Sequence, residues 1–231
     1  MSRAACLSVF FLAACAPAAV WAGDPKPLQV VDGWGVLFDP DGDCQVQKDG
    51  DKLRIVVPGT LHTLSTALPT SNAPRLLQAV EGDFTIQVKV TGEVTAEPGT
   101  GIARGAGSVP FRRGGLVVWH DRKNFILLDR LSVANEKSSF FTSAFLVFQN
   151  GEVTASSERK IENRETWLRL TRHGGTIDAT VSKDEGKTWL SLGTEAVNYP
   201  AKVKVGVAAL HATNKPFTAE FADLKLARNN P

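Results

Sequence analysis

Cysteine, tyrosine and methionine are all scarce in this 231-residue chain, which has three Cys, one Tyr and one Met. Cys6 and Cys15 fall in an N-terminal apolar segment, which leaves Cys44 alone in the body. A lone cysteine forms no internal disulfide, so the fold must be held by its core. With no histidine near it in sequence, Cys44 reads as a small buried filler rather than a nucleophile. Charge of one sign is missing too. A net charge of +2 gives no electrostatic case for a nucleic-acid partner or an anionic membrane. His62, His120, His173 and His211 are dispersed, with no H-x-H or H-E-x-x-H spacing for zinc. G-x-S-x-G and P-loop motifs are absent. So are helix-period segments of convincing length.

The chain opens on a leader. Arg3 precedes the apolar run AACLSVFFLAAC, and small residues follow. That is the charged start, apolar core and cleavage region of an export signal, and the run is too short for a permanent span. Val20 and Ala22 suit a cut before Gly23, with Pro17 breaking the signal helix upstream. A rival cut exists, because LAAC at Leu12–Cys15 matches a lipoprotein box that would place a lipid on Cys15. The expected organisation is an export signal over 1–22, or one ending before Cys15, and a single β-sandwich domain over 23–231. The expected location is periplasmic or extracellular, at a membrane only if Cys15 is lipidated.

The body is 43% hydrophobic and 22% charged over the whole chain, as in a soluble globular protein. Short runs of β-branched and aromatic residues dominate it. Strands are expected near 44–48, 52–57, 75–80, 83–91, 115–120, 124–132, 140–149, 152–159, 165–172, 175–182, 187–192, 203–211 and 217–227. Between them stand turn signals such as KDGDK, HDRKN, QNGE and KDEGK. About a dozen closely spaced strands make an all-β sandwich or barrel. Thr95–Gly115 is the loosest segment, rich in Gly and Pro and carrying three arginines. In FTAEFADLKL the alternation slips at Leu224, which predicts a register change or bulge.

SKDEGKTW, from Ser182 to Trp189, fits the S-x-D-x-G-x-T-W Asp box of sialidases. Its roles are mechanical. Asp184 can accept N–H bonds within the turn, Gly186 can take positive φ, and Trp189 can pack beneath the hairpin. One box and one tyrosine, Tyr199 before Pro200, do not make a sialidase.

Several stretches together resemble a known family: DPDGDC (39–44), VPGTLHTL (57–64), NAPRLLQAVEGDFTIQVKV (72–90), RRGGLVVWHDRKNFILLDR (112–130) and the Asp box. The chain is similar to the concanavalin A-like family named for regulation of enolase protein, also known as domain of unknown function 1349, in its bacterial exported form. The resemblance covers about residues 33 to 228 and implies a jelly-roll sandwich of two antiparallel sheets. It implies no established activity and supplies no catalytic residues.

Candidate sites come from polar residues in apolar surroundings. Asp129 and Arg130 interrupt an apolar strand and need partners. The bland reading is a structural ion pair or a strand end reaching solvent. The functional reading is a sugar groove on the concave sheet, lined by Trp119, Arg113 and Asp129, in which rings pack on sugar faces and charged groups bond hydroxyls. His62, Asn72 and Arg75 lie on a loop expected near that hairpin. Asp39, Asp41 and Asp43 alternate, but Cys44 and Gly50 occupy the Gly and Glu positions of an EF-hand, which leaves an irregular structural calcium site or an acidic turn. The E-x-D-x-x-E strand of concanavalin A-like glucanases, which sets two carboxylates about 5 Å apart, is not found. The expected role is therefore non-catalytic binding of a polysaccharide or oligosaccharide. The alternatives are a hydrolase or lyase acting through Asp129 with a loop residue such as His62, and a cell-surface scaffolding domain.

Overall fold

The computed structural model describes residues 28–68, 71–102 and 109–229. The expected signal over 1–22, with Cys15, and residues 103–108 of the loose segment lie outside the described residues.

β-Branched and aromatic residues at every second position favour extended chain with one face buried. Among the described residues no helix forms, and every strand pairing is antiparallel. The first strands are β1 (Val30–Val31), β2 (Gly35–Phe38), β3 (Gln45–Asp49), β4 (Lys52–Val57), β5 (Arg75–Glu81) and β6 (Asp83–Val90). A central group follows: β7 (Phe111–Asp121), β8 (Asn124–Ala134), β9 (Ser139–Gln149) and β10 (Glu152–Lys160). The chain closes with β11 (Thr166–His173), β12 (Thr176–Ser182), β13 (Leu190–Ala196), β14 (Lys202–His211) and β15 (Phe217–Asn229). One sheet has eight strands in the order β1-β2-β5-β14-β7-β8-β9-β10, and the other has seven in the order β13-β12-β11-β6-β15-β4-β3. The architecture is a concanavalin A-like jelly-roll sandwich.

The sheets bury Leu76, Val118, Ile126, Leu128, Phe145 and Val207 of one against Leu53, Ile55, Phe84, Ile86, Leu168 and Phe221 of the other. A second cluster lies on the outer face of the eight-stranded sheet, where Leu77, Val117, Phe125, Leu127, Ala208 and Leu210 are buried beneath Leu64 and Ala73. The latter two belong to the connection between β4 and β5, described at residues 58–68 and 71–74 and called the strap below, which passes from one sheet to the other. The strap is pinned by paired backbone bonds between His62 and His211, and by the Thr66 hydroxyl donating to the Gly151 carbonyl. The Arg122 guanidinium donates to the Leu68 carbonyl at its far end.

Every expected strand is present. The short β1 and β2 were not expected, and β7 starts at Phe111, inside the segment read as loose. The register change falls between Ala222 and Lys225, where Asp223 takes φ +55°.

Candidate functional site

Strand β7 alternates, so Arg113, Gly115, Val117 and Trp119 share the outer face of the eight-stranded sheet. On β8 the same face carries Phe125, Leu127 and Asp129, through the pairs Gly115–Asp129, Val117–Leu127 and Trp119–Phe125. Asp129 and Arg130, adjacent in sequence, therefore point to opposite faces and do not pair. Asp129 is 1% exposed and accepts from Arg113 Nη1 at 3.2 Å, while its other oxygen has no partner among the described residues. Burial raises its pKa against the lowering pull of Arg113. Arg130 is buried and donates to the Gly92 carbonyl at 2.8 Å and to Asn163 Oδ1 at 2.7 Å.

Trp119 is half-buried. Its ring stacks on Phe125, with centroids 5.4 Å apart, and Phe125 stacks on Phe148 at 4.2 Å. Arg75, on β5, lays its guanidinium 4.3 Å from the Trp119 ring centroid and 5.7 Å from that of Phe38. Lys204 Nζ stands 4.7 Å from the Phe38 centroid, and the Lys204 side chain is exposed. Arg75 is 7% exposed, donates to the Ala73 carbonyl at 2.9 Å, and leaves Nε without a partner among the described residues. Burial pulls its pKa down to about 10. Among the described residues no carboxylate pairs with Arg75 or Lys204. Phe38 and Lys204 escaped the sequence reading, because neither the short β2 nor its place beside β5 shows in a local pattern.

His62 and Asn72 sit in the strap, and both are buried within it. Asn72 is fully engaged: Oδ1 accepts from the Thr63 amide, and Nδ2 donates to Asp41 Oδ2 at 2.7 Å and to the Leu61 carbonyl. His62 is 0% exposed, with Nδ1 on the Thr60 carbonyl and Nε2 on Asp43 Oδ1, each at 3.0 Å. Among the described residues no hydrogen bond or ion pair joins His62 to Asp129. Asp39 accepts from the Gly42 and Cys44 amides and shapes its own turn. Asp43 and, at 4.0 Å, Asp41 both approach His62 Nε2, while Asp39 turns to its own loop. Cys44 is half-buried, and folding does bring it a histidine: its sulfur, Asp43 and His62 offer ligand atoms all within 4.8 Å of one another. Burial first, then Asp39 and Asp43, push the thiol far up from its ordinary value.

Two other features carry no chemistry of this kind. A depression of about 650 Å³ on the seven-stranded sheet is lined by charges of both signs, of which Arg54 pairs with Glu220 and Lys89 with Glu165. The lone tyrosine, Tyr199, is buried with its hydroxyl on the Phe125 and Phe148 carbonyls.

The outer face is thus not an open trough along its length. Its apolar middle is filled by Leu64 and Ala73, and an aromatic and cationic corner remains at Phe38, Arg75, Trp119 and Lys204.

The chain is similar to solved structures of this architecture. A functionally unknown protein from Saccharomyces cerevisiae aligns with TM-score 0.61 at 18% identity, over 81% of this chain and 93% of that one. A GH43 protein from Bacillus licheniformis aligns with TM-score 0.56 at 11% identity, over 79% of this chain. This chain spans only 37% of that protein's length. The PL7 alginate lyase of Zobellia galactanivorans aligns with TM-score 0.50 at 11% identity, over 81% of each chain. At these identities the likeness shows the fold. No curated protein matches the chain. The family described as a protein of unknown function (DUF1349) matches residues 61–229, from the strap to the last strand, and this chain belongs to it.

Proposed function

We propose that this chain is an exported, non-catalytic carbohydrate-binding domain that holds a polysaccharide or oligosaccharide at the Phe38–Arg75–Trp119–Lys204 corner. The observation that carries the reading is Arg75, a cation with no carboxylate in contact among the described residues, held 4.3 Å over the half-buried Trp119 ring. Aromatic rings offer a face to sugar C–H groups, and guanidinium and ammonium groups donate to hydroxyls and carboxylates. Two cations without an acid partner favour a glycan that carries carboxylates. Glycan-active proteins such as an alginate lyase share the sandwich, which agrees with a sugar ligand. Asp129 is sealed under its strand neighbours and bonded to Arg113, and His62 is sealed in the strap, so neither is placed to protonate a bond arriving from solvent.

The test is affinity electrophoresis and calorimetry against neutral and uronate-bearing polysaccharides, alongside a reducing-end assay. Uronate chains are expected to bind, more weakly as salt rises. Trp119→Ala and Lys204→Glu are each expected to weaken binding at least tenfold; the exposed Lys204 variant covers the case in which loss of the ring disturbs the fold. Binding unchanged in both variants, no binding by the intact chain, or release of new reducing ends would each sink the reading.

A further inference from the structure

The geometry points to a transition-metal site of the zinc class built by Asp43, Cys44 and His62. The site joins the turn between β2 and β3 to the strap, and it does not depend on the carbohydrate reading.

Its dimensions fit. His62 Nε2 lies 3.0 Å from Asp43 Oδ1, Cys44 Sγ lies 3.5 Å from the same oxygen, and Asp41 Oδ2 lies 4.0 Å from Nε2. Tetrahedral zinc, with bonds of about 2.0–2.3 Å, keeps neighbouring ligand atoms roughly 3.3–3.8 Å apart. The third edge, between Cys44 and His62, lies within 4.8 Å, so closing the three groups onto one ion draws the sulfur and the imidazole together by up to about 1 Å.

His62 supplies the strongest argument. The Thr60 carbonyl can only accept, so the hydrogen on that side belongs to Nδ1. A neutral ring then turns the Nε2 lone pair on the Asp43 carboxylate, and two acceptors 3.0 Å apart need a cation between them. A proton on Nε2 meets that need, and so does a metal ion. The surroundings favour the metal. Asp39, Asp41 and Asp43 crowd the same turn, and a single proton leaves an excess of negative charge. A backbone carbonyl on the distal ring nitrogen is also how metal-bound histidines are oriented. Asp41 stands behind the three groups, its Oδ2 held by Asn72 from inside the strap. An opening of about 580 Å³, lined by Leu37, Phe38, Asp39, Gly42 and Cys44, leads to the sulfur from outside.

The donor set selects the ion. One sulfur, one imidazole and carboxylate oxygens suit zinc, cobalt or copper, whereas calcium and magnesium take oxygen alone. This separates the site from the calcium loop that the alternating aspartates suggested. No one segment displays it, because His62 is nineteen residues from Asp43 in sequence.

Cobalt(II) reports on such a site. The chain is stripped with a chelator and titrated with cobalt chloride, then with zinc chloride. One cobalt per chain is expected, with a sulfur-to-metal charge-transfer band and the visible bands of tetrahedral cobalt, all displaced by zinc. Zinc should raise Tm by several degrees and calcium should not. Cys44→Ser should abolish the charge-transfer band. Asp43→Asn, an isosteric change at an exposed turn position, should raise the zinc Kd at least tenfold, with the metal-free melt checked against that of the intact chain. Absence of the band, a band that survives Cys44→Ser and so comes from another cysteine, or zinc affinity unchanged in Asp43→Asn would each overturn the site. None of these outcomes bears on glycan binding by the metal-free chain.

Discussion

Gly115 is the residue that lets Asp129 sit inside the eight-stranded sheet. A Cβ at 115 would lie 2.2 Å from the Leu128 carbonyl oxygen and 2.5 Å from Asp129 Cα. Both contacts are backbone, so β7 and β8 would have to part at the centre of the sheet. Gly115→Ala is expected to destabilise by about 2–3 kcal/mol, in the range of overpacked cores, and to lower Tm by several degrees. Gly175→Ala is the control: its Cβ would meet nothing nearer than the Val197 carbonyl at 3.8 Å, and Tm should hold or rise slightly. Thermal melts followed by circular dichroism decide it, and equal melting of the two variants would contradict the packing argument. The sequence shows Asp129 as an acid out of place among apolar neighbours. The sequence reading put Arg113 in the same groove as Asp129 as a ligand contact; the hairpin register makes it instead the cation bonded to Asp129. Arg75 was legible only as a polar residue at the end of a loop. That no acid among the described residues answers it depends on everything packed around it.

At the scale of elements, the turn between β12 and β13 shows local chemistry setting local structure. Asp184 Oδ1 accepts from the Ser182 hydroxyl at 2.7 Å and the Thr188 amide at 2.9 Å, and Oδ2 accepts from the Thr188 hydroxyl at 2.6 Å. Gly186 takes φ +80°, and Trp189 Nε1 donates to its carbonyl at 2.9 Å. The Thr188 bonds, hydroxyl first, hold the Asp184 pKa down to about 2 from an ordinary 3.8. A carboxylate depressed in the folded state contributes stability that is present above its unfolded value. That contribution fades as pH falls from near 3.8 through 2. The Trp189 indole N–H resonance should therefore shift with a midpoint near pH 2, and Asp184→Asn should remove the shift. A midpoint near 4 would mean that the turn does not grip the carboxylate. This turn was readable residue by residue because all its bonds lie within eight residues. The strap was not, since its order comes from partners such as His211 and Gly151, far along the chain.

For the whole molecule, the question is whether the strap is a cover laid on a finished sandwich or part of what holds it together. Leu64 is 1% exposed and packs with Leu77, Val117, Phe125 and Leu127 on the outer face of the eight-stranded sheet, away from the inter-sheet core. Leu168, 0% exposed, belongs to that inter-sheet core. The strap continues β4 of one sheet into β5 of the other, and its His62 pairs with His211 at the end of β14. Loosening it therefore frees the ends of strands in both layers at once. Leu64→Ala and Leu168→Ala are each expected to cost about 2–4 kcal/mol and to lower Tm by roughly 5–15 °C, each in one cooperative transition. Calorimetry separates the two pictures. If the strap were a cover, Leu64→Ala would leave the main transition where it was and add a small early one, while Leu168→Ala would still shift the main transition. The paired backbone bonds at His62 and the full burial of Leu64 argue for a single transition that includes the strap. A ligand held at the Phe38–Arg75 corner, beside the root of the strap, would then stabilise the sandwich as a whole.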